Sequence, residues 1–458
     1  MRSVRLFPAR VVRPDWARRT VTAMSESLHE SGVDLYRVAV DDAAYDESGV
    51  ALYVYRQSHG SATHIGVVCD ISVQAIADGR VRGHEAVYGP RVDALVWHHT
   101  TTTAPPALVT LLHRAGPEFE RTIEEVQQTP PILDFVGPRG LQQTVWRLAE
   151  GPTTAALVEE LGAADFYIAD GHHRVAARLE EWRLAGKPAD AGLLGVVHRM
   201  DGLRLSAFHR RVSGPVDSQA LLGLLTPDFE VRAVAGQPTP RPGSIGLYVD
   251  GRWSDVTYLA DRPSGAAGLD VAILQTRVLD RLAGAGDVET VPSGTFVVEL
   301  TRRCDVDGGA LFTLAPPEIE ALSEVADAGE VMPPKTTYFE PKPAAGIFLR
   351  QQQMRLARDI IGVDSDPVIF GGDFNASAGS ATLALALDPA HTDLVDSWPL
   401  VGDGDGLTAP NNAPRSRIDF LLADDEWRPT VMATWQSAVS DHAAVVGRFL
   451  LRSPRVCR

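Results

Sequence analysis

Residues 165–185 carry the pattern that decides the fold: Asp165-Phe-Tyr-Ile-Ala-Asp170-Gly-His-His-Arg174-Val-Ala-Ala-Arg-Leu-Glu-Glu-Trp-Arg-Leu-Ala185. The apolar and aromatic residues before the glycine predict a strand over 165–170. The residues after it have helical spacing and charge, which predicts a helix over 173–185. A further strand is predicted over 192–199. Strand, helix and strand in this order favour a mixed α/β (or α+β) fold.

The rest of the first 350 residues continues this alternation of strands and helices. Further strands are predicted over residues 50–57, 64–72 and 94–100. Helices are predicted over residues 115–128, from Pro152 onward, over 269–283 and over 316–328. Residues 234–244 are rich in proline and glycine, which indicates a loop or a joint between subdomains. Residues 332–343 contain too many prolines for a helix or a central strand.

The bulk composition is that of a folded, acidic protein. The chain has 458 residues, of which 45% are hydrophobic and 22% charged, enough for roughly two or three domains. The net charge of −16 disfavours nucleic acid as a partner, because such binding depends on basic residues that neutralise phosphates. Bound metal ions could still supply positive charge at one site. The sequence has no apolar run of the roughly 18 residues that a membrane span needs and no signal-peptide core at its N-terminus, so we expect a cytoplasmic protein.

Lysine and cysteine are both rare in this chain. Lys187, Lys335 and Lys342 are the only lysines among the 43 basic residues, and none lies in a G-x-x-x-x-G-K-[ST] loop. The three cysteines are far apart and form neither a zinc-binding pair nor a disulfide framework. A phosphate site in this protein must therefore be built without a P-loop.

The first candidate site is the predicted strand-to-helix turn at residues 170–174. Helix N-termini present N–H groups and a positive dipole end, which suit phosphate. Gly171 permits a tight turn after Asp170, and His172, His173 and Arg174 add donors. A simpler interpretation fits the same residues: Asp170 caps the helix and the histidines are solvated.

A second candidate is the pair His84-Glu85. A glutamate beside a histidine can act as a general base, although such pairs are often plain surface features. Position 88 is Tyr88, which excludes the H-E-x-x-H zinc motif.

Four segments of the first 350 residues resemble domain-of-unknown-function family 1015: residues 52–57, 169–174 (Ala-Asp-Gly-His-His-Arg), 269–275 and 332–343. The D-G-H-x-R turn is also similar to that of free serine kinases, which have a ParB/sulfiredoxin-like fold. The resemblance implies that Glu85 deprotonates a hydroxyl group. It also implies that residues 170–174 hold the phosphates of a nucleotide such as ADP or ATP.

The last 108 residues contain three polar motifs, each beside an apolar strand. Residues 368–370 lead into Gly371-Gly-Asp373-Phe-Asn375, where Asp373 and Asn375 are two apart and so project to the same side. Asp419 alternates with apolar neighbours in a predicted strand over 417–422, and a carboxylate there is costly unless it is paired or functional. Asp441 and His442 directly precede a predicted strand over 443–451. Each motif alone also fits a turn, an ion pair or a cap, but three in this order indicate chemistry.

Together these motifs resemble the C-terminal half of the endonuclease/exonuclease/phosphatase family, whose fold is deoxyribonuclease-I-like. The resemblance covers residues 351–458. It implies that Asp373 and Asn375 hold the nucleophilic water and the phosphate, and that Asp441 binds Mg²⁺. His442 would then act at the scissile phosphate, with Asp419 orienting its ring.

The resemblance also implies a domain about twice this length, whose first half brings a metal-binding Glu, an early Asn and a second His. Residues 270–276 (Asp-Val-Ala-Ile-Leu-Gln-Thr) are similar to the Leu-Gln-Glu segment that carries this glutamate. Thr276 takes the place of the glutamate, however, and has no carboxylate to bind the metal. Half of a two-sheet sandwich would expose the apolar face that the other sheet covers.

The sequence therefore predicts a fusion: residues 1–350 form a mixed α/β domain that binds a nucleotide or another phosphorylated small molecule, and residues 351–458 form a hydrolase half that is weak or inactive alone. Two alternatives stay open. The half could be completed as an Mg²⁺-dependent phosphodiesterase by a homodimer or by a partner that supplies the other half. The chain could also be a non-enzymatic binding or scaffold protein with a degenerate tail.

Overall fold

The computed structural model describes residues 3–31, 42–101, 108–189, 191–282, 287–350, 367–374, 378, 381–389, 392–409, 414–436 and 443–452. Within these ranges, the helices are all too short or too polar to cross a membrane. The helices are α1 (Pro14–Ser31), α2 (Val73–Ala77), α3 (Gly89–Thr101), α4 (Pro117–Val126), α5 (Pro152–Ala163), α6 (His172–Leu184), α7 (Ser218–Leu225), α8 (Asp270–Arg277), α9 (Val297–Asp307), α10 (Ile319–Asp327), α11 (Ala381–Ala386) and α12 (Trp398–Val401).

The strands fall into three regions of the chain. The first region contains β1 (Val4–Arg5), β2 (Phe7–Val12), β3 (Tyr45–His59), β4 (Ala62–Ser72), β5 (Val81–Arg82), β6 (Val109–His113), β7 (Leu133–Val136), β8 (Gln142–Ala149), β9 (Phe166–Asp170) and β10 (Gly192–Arg199). The second contains β11 (Arg204–Ser206), β12 (Phe208–Val212), β13 (Phe229–Val234), β14 (Ser244–Val249), β15 (Arg252–Tyr258), β16 (Val288–Pro292), β17 (Ala310–Thr313), β18 (Tyr338–Glu340) and β19 (Phe348–Arg350). The third contains β20 (Ile369–Asp373), β21 (Val395–Asp396), β22 (Asp419–Ala423), β23 (Trp427–Trp435) and β24 (Ala444–Leu451).

The first sheet is mixed, as the strand–helix–strand pattern predicts. Its strands run in the order β19-β2-β3-β4-β10-β6-β9-β5, with β1 beside β4 and the β7–β8 hairpin beside β3. The central strands β4, β6 and β10 are buried over most of their length, because separate apolar clusters cover the two faces of the sheet. Strands buried on both faces need near-continuous apolar sequence, and these segments have it.

A second, antiparallel sheet follows, in the order β13-β15-β14-β17-β12-β16. The proline-rich residues 235–243 connect β13 to β14 of this same sheet, so they form a loop and not a joint between subdomains. In the two-stranded ribbon β11–β18, Arg204 is paired with Glu340. Residues 338–340, just before β19, therefore lie beside residues 204–206. Strand β19 then pairs with β2 at the edge of the first sheet, which joins residue 350 to the first domain.

The prediction of a strand over residues 94–100 is wrong, because these residues belong to helix α3. Val92 and Leu95 lie three residues apart and are both buried against Ala177 of α6. The β-branched and aromatic residues of this segment suggested a strand, but the helical spacing of its buried side chains decides the structure.

The C-terminal region holds a small sheet, β20-β22-β21, and a separate ribbon, β23–β24. Phe374 and Phe420 stack edge to face in its core, with ring centroids 5.3 Å apart. On the ribbon, Trp435 is 70% exposed and Val446 52% exposed. The ribbon therefore presents exposed apolar side chains.

His113 is an unusual core residue at the end of β6. It has no exposed surface, and neither of its ring nitrogens has a hydrogen-bond partner among the described residues. Its ring packs edge to face on Phe119, with centroids 4.6 Å apart. Burial lowers the pKa of His113 to about 4. The unfolded chain binds a proton here near the usual pKa of about 6.5, so the free energy of unfolding falls as the pH drops from about 6.5 to 4.

We therefore expect His113→Phe to stabilise the protein, and to do so more strongly in acid. At pH 7 the gain should be about 1 kcal/mol, because two unpartnered buried nitrogens are removed. At pH 5 it should be about 2 kcal/mol larger, at roughly 1.4 kcal/mol per pH unit. Urea unfolding at both pH values measures this, with the exposed His59→Phe as control. An equal gain at pH 7 and pH 5 would contradict the prediction.

Candidate functional site

Two of the sequence candidates meet at one edge of the first sheet. Strands β5 and β9 are parallel neighbours, with Val81 opposite Phe166. The carboxyl ends of parallel strands meet at the same edge of a sheet. The loop after β5, which carries Glu85, and the turn of residues 170–174 after β9 therefore lie side by side.

The 170–174 turn depends on its glycine. Gly171 has φ +105° and precedes the first residue of α6, His172. A Cβ at this position would lie 3.0 Å from Val109 and 3.1 Å from the guanidinium carbon of Arg174. Gly171 is the N-cap and no side chain caps the helix, so the interpretation of Asp170 as a capping residue is wrong.

Asp170 instead bridges two cations. Its Oδ2 accepts a 2.5 Å hydrogen bond from Arg174, and its Oδ1 accepts one of 2.7 Å from Nζ of Lys342. Burial opposes ionisation, but Arg174 and Lys342 outweigh it and lower the pKa of Asp170 to about 2. Arg174 is itself buried and also donates to the carbonyl of Leu108, 2.7 Å away. The guanidinium therefore fixes the turn to the strand beside it.

The two histidines of the turn hold the neighbouring loop, residues 84–88. The backbone N–H of His84 donates to Nε2 of His172 at 3.3 Å, and that of Tyr88 donates to Nε2 of His173 at 3.0 Å. Because each Nε2 accepts a hydrogen bond, the proton of each neutral ring lies on Nδ1. These ring nitrogens act as acceptors for the loop, where the sequence alone suggested donors for a ligand.

Burial keeps His172 neutral. Its side chain is 6% exposed, and burial lowers its pKa to about 4 although Asp170 opposes the shift. The nearby cation of Lys335 also disfavours the protonated ring. His172 therefore stays a hydrogen-bond acceptor at neutral pH.

Glu85 lies between these anchors. Its Oε2 is 3.9 Å from Nδ1 of His172, too far for a direct hydrogen bond, and its side chain is 21% exposed. On the other side, the N–H of Met332 donates to the carbonyl of His84 at 2.7 Å, and Glu85 forms a β-bridge with Met332. The interpretation of His84-Glu85 as a plain surface pair is wrong, because His84 is 1% exposed.

Sequence reasoning missed the role of residues 332–343 at this site. Lys342 reaches Asp170, and Thr337 Oγ1 lies 2.8 Å from Nε2 of His84. The signal that could have found them is the scarcity of lysine, since two of the three lysines fall in this segment.

A cavity of about 320 Å³ adjoins the same segment beside the second sheet. Its lining includes Phe208, Asp270, Leu314 and Thr336, and is mostly apolar. Arg262 and Asp270 form an ion pair of 2.5 Å at its wall. An apolar lining with a few charged groups is typical of pockets for small organic molecules.

In the C-terminal region, the structure brings two of the predicted site residues together. Asp373 and Asp419 are direct partners across the antiparallel strands β20 and β22. Asp419 is half-buried, while the side chain of Asp373 is not described. Asn375, Asp441 and His442 lie outside the described residues. Within the described part of the chain, no three His, Cys, Asp or Glu side chains are placed to hold a metal ion.

The fold defines an α/β protein of two unlike parts. The model of the family described as protein of unknown function (DUF1015) matches residues 10–281, more than half of the chain, and the chain belongs to this family. The model of the Endonuclease/Exonuclease/phosphatase family matches residues 328–442. The predicted fusion of two families is therefore confirmed.

Several solved structures are similar to this chain over most of their own length. One is a free serine kinase variant in complex with ADP, at 16% identity, covering 61% of this chain and 89% of that one, with a TM-score of 0.34. Another is SbnI with a C-terminal truncation from Staphylococcus aureus, at 15% identity over 64% and 90%, with a TM-score of 0.33. A third is a conserved hypothetical protein from Pyrococcus furiosus, at 16% identity over 62% and 94%, with a TM-score of 0.31. No curated protein matches the chain.

The conformation of the turn gives a test of its rigidity. Gly171 and Gly186 flank α6 and both have positive φ, but only Gly171 has side chains within 4 Å of an added Cβ. We expect Gly171→Ala to lower the free energy of unfolding by about 2–3 kcal/mol, through strain and contact with Val109. Gly186→Ala should cost about 1 kcal/mol, from strain alone. Chemical denaturation measures both, and equal losses would mean that the turn relaxes freely.

Proposed function

We propose that the first domain is a phosphotransferase. It binds a nucleoside phosphate, ADP or ATP, at the 170–174 turn and transfers a phosphoryl group to the hydroxyl of a small acceptor, with Glu85 as the general base. The observation that supports this most is the position of Glu85. Its loop is tied by two backbone hydrogen bonds to the histidines of the turn.

The turn has the properties that a phosphate needs. The first N–H groups of a helix lack carbonyl partners within the helix, and its dipole favours an anion there. α6 has 13 residues, long enough to present that dipole. Within this proposal Arg174 has two roles, because it anchors Asp170 and adds positive charge beside the phosphate.

The chemistry assigned to Glu85 is simple proton removal. The acceptor oxygen forms a bond to the transferred phosphorus while the bond from phosphorus to the nucleotide oxygen breaks. Glu85 takes the acceptor's hydroxyl proton, and the departing nucleotide keeps the electron pair of the broken bond. Positioning dominates such reactions, so a loop fixed by His172 and His173 is a suitable carrier for the base.

We expect Glu85→Gln to reduce turnover by about 10²–10⁴-fold and to change nucleotide affinity by no more than about twofold. Glutamine keeps the size of the side chain but cannot accept the proton. Calorimetry with ADP and ATP measures affinity, and ³¹P NMR with a panel of small hydroxyl acceptors measures transfer. Glu324→Gln, on the exposed face of α10, is the matched control.

Two results would contradict the proposal. The first is wild-type protein that binds neither ADP nor ATP. The second is transfer activity that survives Glu85→Gln unchanged. Arg174→Ala should also weaken nucleotide binding, and its unfolding must be measured in parallel because Arg174 anchors the turn.

A second proposal concerns the C-terminal region, and the register of Asp373 opposite Asp419 favours it. We infer that this region is a hydrolase half with weak or no activity alone, and that Mg²⁺ would bind at Asp441. The other catalytic groups of such a site have no convincing counterpart in this sequence. The exposed apolar residues of β23 and β24 suit the alternative in which a homodimer or a partner completes the sandwich. The scaffold alternative predicts no activity in any assembly.

We expect the purified chain to cleave a generic phosphodiester and plasmid DNA at less than about one-hundredth of the rate of a complete enzyme. Each missing transition-state stabiliser typically costs about 10²–10³-fold. The assay measures Mg²⁺-dependent cleavage by wild type, His442→Ala and Asp373→Asn. Strong, chelator-sensitive activity that both substitutions abolish would show that this half is completed within the chain or its dimer.

A further inference from the structure

Residues 332–343, here called the lysine strap, lie against the 170–174 turn although 172 positions separate Lys342 from Asp170. The strap carries two of the chain's three lysines. Nζ of Lys342 is 2.7 Å from Oδ1 of Asp170, and its side chain is 50% exposed. Lys342 is therefore fixed beside the turn, with about half of its side chain exposed to solvent.

Buried side chains of the first sheet fix the backbone next to Lys342. Gln57 donates to the carbonyl of Lys342 at 3.0 Å, and the hydroxyl of Tyr55 accepts from the N–H of Ala344 at 3.0 Å. Tyr45 donates to the carbonyl of Gly346 at 2.8 Å. Core groups thus hold the backbone beside Lys342 while its ammonium lies at the turn, next to Asp170, which is how a binding group is preorganised.

The other end of the strap is held in the same way. Arg210, 3% exposed, donates to the carbonyls of Pro334 at 3.0 Å and Lys335 at 3.1 Å. Lys335 has φ +57°, the left-handed region that residues other than glycine rarely adopt. Strained conformations of this kind persist where surrounding groups enforce them, and they cluster at ligand sites. Nζ of Lys335 lies 5.7 Å from the ring centre of Phe208.

We propose that the lysine strap is a phosphate clamp that makes this site select ligands with two or more linked phosphate groups. This inference rests on the phosphate-binding part of the function proposed for the turn. An ammonium has three N–H donors, so Lys342 can keep its bond to Asp170 and donate to a phosphate as well. The turn binds one phosphate of the ligand, and Lys342 and Lys335 bind the phosphate linked to it. A monophosphate reaches only the turn.

The test is calorimetry on the full chain with ADP, AMP and inorganic pyrophosphate as probes. The variants are Lys342→Met and Lys335→Met, with Lys342→Arg retaining the charge. Lys187→Met is the matched control, because Lys187 is the third lysine and lies over the ring of Trp182 beyond the end of α6. Urea unfolding of each variant shows whether the loss of the Asp170 contact has changed the fold.

We expect wild type to bind ADP at least about tenfold more tightly than AMP. Lys342→Met should weaken ADP binding by about 10–100-fold, the usual cost of a charged hydrogen bond, and AMP binding by less than about threefold. Lys335→Met should act in the same direction, Lys342→Arg should restore most of the affinity, and Lys187→Met should change nothing.

The outcomes separate this inference from the proposed function. If Lys342→Met weakens ADP and AMP equally, or neither, the clamp is wrong and Lys342 is a surface ion pair, while the nucleotide proposal stands. If wild type binds pyrophosphate through Lys342 but binds no nucleotide, the clamp stands and the nucleotide proposal falls. If it binds none of the three probes, both are wrong.

Discussion

The carboxylate of Asp170 is the point on which the arrangement of the site depends. It is the last residue of β9, and it binds Arg174 on the first turn of α6 and Lys342 from a segment 172 positions later. A carboxylate in so confined a place is costly unless it is paired, and these two cations keep it ionised. One charged group therefore joins a strand end, a helix start and the returning chain, and each of these contributes to the candidate site.

A second constraint is the neutrality of the buried histidines. His172 can accept the N–H of His84 only while its Nε2 is unprotonated, and burial ensures this at neutral pH. The same burial makes the fold sensitive to acid, since His113, His198 and His209 also have their pKa lowered to about 4. The positioning of the Glu85 loop and the loss of stability in acid therefore have one cause: these imidazole rings are buried away from water, which disfavours their protonated form.

The described residues of the two parts of the chain differ in how they pack. In the first part, β19 returns to pair with β2 at the sheet edge, and apolar clusters cover both faces of the sheet. The C-terminal part has a small core around Phe374 and Phe420 but leaves Trp435 and much of its ribbon exposed. Under the two proposals above, both parts would act on phosphate groups. The first part brings Glu85 and the 170–174 turn together at one sheet edge, and in the second part Asp373 and Asp419 are partners across two strands.

The sequence by itself determined what depends on neighbouring residues: the strand–Gly–helix turn at 170–174, most helices and strands, the two family resemblances and the absence of a P-loop lysine. It misassigned residues 94–100, because composition there favoured a strand while packing on α6 favoured a helix. Only the tertiary structure decided that Lys342 meets Asp170, that the histidines accept hydrogen bonds from the Glu85 loop, and that Asp373 faces Asp419. These contacts join residues 46 to 172 positions apart. Local patterns carry no information about such pairs, because they arise from sheet order and from the burial that it creates.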